Sequence, residues 1–131
     1  MTRDIIDIND FSILVETGHS KTPEIDTCKF EEPLIAVAFY GSGNVDLAVK
    51  YNNKKIPYNH TKGLALSFYA DDKVEFEHTI SELKPLECIV IATTAKNLNK
   101  LSVDEGELFS ELLHQLVYPK DHYVEGPRFY M

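Results

Sequence analysis

No stretch of this 131-residue chain is apolar for the roughly 18 to 20 residues that a membrane-spanning helix requires. The N-terminus, MTRDIIDIND, is acidic and lacks the basic-then-apolar order of a secretory signal. A cytoplasmic protein with no membrane contact is therefore expected. Basic residues are also in short supply. Thirteen Lys and Arg stand against 21 Asp and Glu, a formal charge of −8 with a pI near 5.0. The cations are scattered, whereas a domain that neutralises phosphates needs a basic face, so nucleic-acid contact by this chain alone is not expected. Only two cysteines occur, Cys28 and Cys88, far apart and without CxxC spacing; free thiols are expected.

The usual signatures of catalysis are missing as well. Metal-binding strands often place two histidines two residues apart, which aims both rings at one ion. The five histidines here (His19, His60, His78, His114 and His122) form neither HxH nor HExxH. Glu77 and His78 are adjacent, which puts them on opposite faces of a strand. No metal and no cofactor are expected. The serines lack a nucleophile-elbow sequence, and Gly41-Ser42-Gly43 lacks the Lys-Thr and strand-to-helix context of a phosphate loop. No catalytic residue is assigned, and the chain is not read as an enzyme. Internal repeats and low-complexity tracts are also lacking, and the length fits one domain.

What is present is alternation. In PLIAVAFYGSGNVDLAVKY, residues 33 to 51, Ile35, Val37 and Phe39 share one face of the first run. Val45, Leu47, Val49 and Tyr51 share one face of the second. With Gly41-Ser42-Gly43-Asn44 between the runs, this predicts a β-hairpin whose glycines take positive φ. Further strands are predicted at Phe11–Thr17, Leu64–Ala70, Val74–Ile80 and Leu86–Thr94, the last a central one. His19–Phe30 reads as a surface crossing and Ile56-Pro57 as weak strand at best. Residues 1–10 read as an edge strand or a mobile arm. Ser102-Val103-Asp104-Glu105 is a capping box opening an amphipathic helix to Val117, which Pro119 stops. Seven or eight strands followed by one helix make the fold mainly β: a jelly-roll barrel or sandwich, with a C-terminal amphipathic helix.

The run AFYGSGNVDLAVKY, then KGLALSFYA, then EFEHTISELKPLECIVIATTAKNL, then a helix and GPRFYM, resembles the N-terminal effector-binding and dimerisation domain of AraC-type transcription regulators. The resemblance covers residues 30 to 131, with Phe39-Tyr40-Gly41 and Gly63 at its aromatic and glycine positions. Lys62 stands where a proline often precedes the second glycine. The resemblance implies a cupin-like barrel and a sensor function, with DNA contacted only through a helix-turn-helix domain that these residues do not contain. It divides the chain into an N-terminal arm (1–10), a β-barrel sensor (11–101), an amphipathic helix (102–118) and the start of a connection to a further segment (119–131). The alternative is a stand-alone small cupin-like enzyme or ligand-binding protein without a metal.

Phe39, Phe68, Phe76 and His78 each occupy the apolar phase of their strand, so they are the candidate ligand-binding set for a small-molecule effector. The competing reading of each ring is core packing. A protein effector is the other partner considered. Leu108, Leu112, Leu113 and Leu116 form a stripe broader than one sheet contact needs, and part of it is expected to meet a second protomer or a following helix.

Overall fold

The computed structural model describes residues 1–98 and 114–131. These residues form ten strands: β1 (Thr2–Ile8), β2 (Phe11–Gly18), β3 (Glu24–Cys28), β4 (Leu34–Tyr40), β5 (Asp46–Tyr51), β6 (Lys54–Tyr58), β7 (Leu64–Ala70), β8 (Glu75–Ile80), β9 (Leu86–Thr93) and β10 (Tyr123–Tyr130). One antiparallel sheet has the order β1-β2-β9-β4-β7-β10, the other β3-β8-β5-β6. Without the two outermost strands, the sheets are β2-β9-β4-β7 and β3-β8-β5-β6, the strand order of a jelly roll. The mainly β, jelly-roll expectation holds. Among the described residues no helix is long and apolar enough to cross a membrane.

In this topology nearly every connection from β2 to β9 carries the chain from one sheet to the other. That corrects the predicted hairpin at residues 33–51. β4 pairs with β7 and β9, whereas β5 pairs with β6 and β8 in the facing sheet. Gly41–Asn44 is thus a crossing between layers. Its positive φ, 57°, belongs to Asn44, whose Oδ1 accepts from the backbone N of Thr61 at 3.0 Å. The glycines serve close approach instead: a Cβ on Gly43 would lie 2.3 Å from the carbonyl oxygen of Pro85. A strand-turn-strand pattern reads the same whether the second strand pairs with the first or faces it.

Two tight hairpins occur elsewhere. Asn9-Asp10 joins β1 to β2, and Asn52-Asn53, with φ of 48° and 60°, joins β5 to β6. Two successive positive φ values are the mark of a type I′ turn, where asparagine is favoured. β6 is therefore a full strand, and its Pro57 is tolerated because β6 lies at the edge of its sheet. β3 forms inside the segment read as a surface crossing. Residues 1–10 take the edge-strand form, exposed along β1.

The segment 119–131, expected as a connection, is corrected to β10, paired with β7. Its Gly126-Pro127 does not end the strand; the register shifts between Glu125 and Arg128, so the pair is absorbed as a bulge. Tyr123 is buried, and its hydroxyl meets that of Tyr58 at 2.8 Å, pinning β10 to the second sheet.

The Ser102 helix, with Leu108, Leu112 and Leu113, lies outside the described residues, apart from a helical turn at 114–117. Leu116 is fully buried over Gly126 and beside Ser67, on the outer face of the six-stranded sheet. It is thus covered by its own chain and not open to a second protomer.

Candidate functional site

Both faces of the six-stranded sheet are partly covered, and this decides where the candidate side chains point. In β4, Ala36, Ala38 and Tyr40 join the core between the sheets, while Ile35, Val37 and Phe39 face outward. Phe39 is therefore corrected out of the interior set, and Tyr40 stands in its place. The larger side chains marked the outer face as the apolar one, because the inner face of β4 is narrowed to alanines opposite bulky neighbours. Phe68, Phe76 and His78 do share the interior.

There the rings pack on one another. Phe68 and Phe76 lie 5.2 Å apart between centroids, and Phe30, from the β3–β4 connection, is 6.2 Å from Phe68 and 5.5 Å from Phe76. The cavity beside them is about 20 Å³, room for about one water or a single ion. Phe68 and Phe76 are core.

The roomy space is next door. A groove of about 690 Å³ runs along the inner face of the six-stranded sheet, with Leu14, Leu34, Val90 and Ala92 as its floor and Phe30 at its inner end. Arg3, Lys29, Glu31 and Glu32 stand at its rim, and Ile5 of the edge strand forms part of a wall. This volume falls within the range of small-molecule sites, and an apolar floor with few polar groups is their usual lining.

Between groove and core sits a polar cluster that the strand pairing assembles. Glu16 of β2 lies opposite Cys88 of β9, which lies opposite Tyr40 of β4. From the other sheet, Asp26 of β3 is paired with His78 of β8. The Arg3 guanidinium bridges Glu16 at 3.0 Å and Asp26 at 2.9 Å. His78 Nε2 and the Tyr40 hydroxyl are 2.7 Å apart, while the buried Nδ1 has no partner among the described residues. One oxygen of each carboxylate and a ring nitrogen of His78 all lie within 4.8 Å of one another, a spacing that could hold a metal ion.

Burial sets the chemistry of these groups. It lowers the His78 pKa to about 4, with Asp26 pulling weakly the other way. It pushes the Cys28 thiol up to about 12, and it raises Cys88 and Tyr40. Both cysteines are free, protonated at neutral pH and poor nucleophiles.

Arg3, Glu16, Asp26 and Phe30 are not singled out by the sequence, and Tyr40 stands out only as a motif position beside Phe39. Glu16 had a signal, since it continues the inward phase of Ser12 and Leu14. Asp26 had none, because its segment reads as a loop.

Among known proteins, no family model and no curated protein matches this sequence. Among solved structures, the chain is similar to a cupin protein from Bacteroides fragilis, with 9% identity and a TM-score of 0.48. The likeness covers 70% of this chain and 75% of that one.

Proposed function

We propose that this chain is the effector-binding domain of an AraC-type transcription regulator, and that it takes a small molecule in the groove beside β1 and β2. The observation that carries the reading is the contrast between the two spaces: an open groove of about 690 Å³ over an apolar floor, and an interior cavity of about 20 Å³. The segments quoted for the sequence resemblance support the regulator role. DNA contact in this reading belongs to a helix-turn-helix region beyond these residues. The role is binding, not catalysis.

The mechanism is a population shift, in which the effector must favour one arrangement of the domain over another. β1 is suited to respond. It is an edge strand held on one side only, and Ile5 and Arg3 reach the groove from it. Self-association through residues around Leu108, Leu112 and Leu113 is part of the same proposal.

The test is an amide-shift titration of the chain with sugars, ferric siderophores and small carboxylic acids, beside Val90→Arg as a groove-blocking variant. Shifts on Leu14, Phe30 and Ala92 that Val90→Arg abolishes would support the groove. Ligand binding that survives Val90→Arg and maps elsewhere would overturn it. The gene beyond Met131 tests the regulator half: two helix-turn-helix segments support it, and a stop codon there leaves a stand-alone binding protein.

A further inference from the structure

Glu16 and His78 are 2% and 3% exposed, and they face each other from different sheets. With Asp26 they bring two carboxylates and an imidazole to within 4.8 Å. A carboxylate held as deep as that of Glu16 needs a cation, because an uncompensated charge loses its hydration on burial, while the Asp26 side chain beside it is 23% exposed. Arg3 supplies one, but it leaves a second need unmet. His78 Nδ1 is buried with no hydrogen-bond partner among the described residues, and buried polar atoms are ordinarily satisfied. The adjoining cavity, lined by Glu16, Tyr40 and His78, has room for a single ion but not for an organic molecule.

We propose that Glu16, Asp26 and His78 Nδ1 form a binding site for one divalent transition-metal ion, which takes the place of the Arg3 guanidinium. Two carboxylates and a neutral imidazole balance a charge of two, and a nitrogen donor beside oxygens favours zinc, cobalt, iron(II) or manganese over calcium. Metal bonds of about 2.0 to 2.2 Å would draw the donors roughly 1 Å closer than they stand, within the reach of side-chain rotation. An outer partner is already in place. With the metal on Nδ1, Nε2 carries the proton and donates to the Tyr40 oxygen, and Tyr40 lies opposite Cys88 on the neighbouring strand. Arg3 can leave, since its side chain is a third exposed and β1 is an outer strand.

Sequence spacing carries no sign of this site. Its ligands come from three strands, one of them read as a loop. The inference does not depend on an organic effector in the groove, and its test uses metal alone.

The experiment titrates cobalt(II) and zinc(II) into the untagged 131-residue chain, read by calorimetry and by the visible absorption of bound cobalt. One ion per chain is expected. Arg3→Ala, which removes the competing cation, should bind about tenfold more tightly, while Asp26→Asn and His78→Gln should each lose about tenfold or more. If Arg3→Ala does not fold, the wild type with Asp26→Asn and His78→Gln decides. Saturable one-to-one binding lost in those two variants supports the site. No saturable binding, or equal affinity in the variants and the wild type, overturns it.

Discussion

His78 is the residue whose surroundings say most. It is neutral because desolvation opposes its charge, which holds its pKa at about 4 against 6.5 in an unfolded chain. Between those two values the unfolded state binds the extra proton, so stability falls as the pH drops from about 6.5 to about 4 and is flat on either side. The shift corresponds to about 3 kcal/mol. Urea unfolding in the presence of a chelator should show this slope in wild type and not in His78→Gln, measured as the difference between the two proteins. Tyr40→Phe tests the neighbour. It strands Nε2 without its partner in a buried place, so it should cost about 1 to 3 kcal/mol at neutral pH, read from the same unfolding curves.

At the scale of elements, the crossings decide the fold. Gly43 passes under the Pro85 carbonyl with no room for a side chain, and Gly41 N donates to the Glu87 carbonyl at 2.9 Å beside it. Gly43→Ala should force the two connections apart and cost about 1 to 3 kcal/mol, with amide shifts concentrated at residues 41–44 and 85–87. Gly41 is less constrained, since its nearest neighbours are side-chain atoms of Glu87. The outer face of the six-stranded sheet depends on Leu116, which fills the space over Gly126. Leu116→Ala should cost about 2 to 5 kcal/mol in thermal or chemical unfolding, and it should loosen β10 before the rest of the sheet in hydrogen exchange.

For the whole molecule, charge and shape act together. With a formal charge of −8, the chain should give no gel shift with duplex DNA at physiological salt, and a shift under those conditions would count against the sensor reading. Among the described residues the outermost strands are β1, β10, β3 and β6, and three of them are blunted in different ways. β6 carries Pro57 and two lysines, β10 carries a bulge, and β1 alternates charged residues with Ile5, Ile6 and Ile8. β1 is the longest of these edges without a proline, and it also forms part of a wall of the groove.

The sequence by itself determined the strands that alternate cleanly. Leu64–Ala70 and Val74–Ile80 point inward in the phase their apolar residues announced, and Leu86–Thr93 lies in the middle of its sheet between β2 and β4. Alternation is a local property, and a half-buried strand must show it. The turn at Asn52-Asn53 is equally local, because asparagine tolerates the positive φ it needs. Tertiary structure decided the rest. Whether residues 41–44 close a hairpin or cross between layers depends on the pairing of β4 with β7 and β9, far along the chain, which no local pattern contains. The inward face of β4 was decided by the alanines that let bulky neighbours fit, a matter of volume rather than hydrophobicity. The polar cluster was decided in the same way: Arg3, Glu16, Asp26 and His78 meet because two sheets stack, and stacking leaves no periodic trace in the chain.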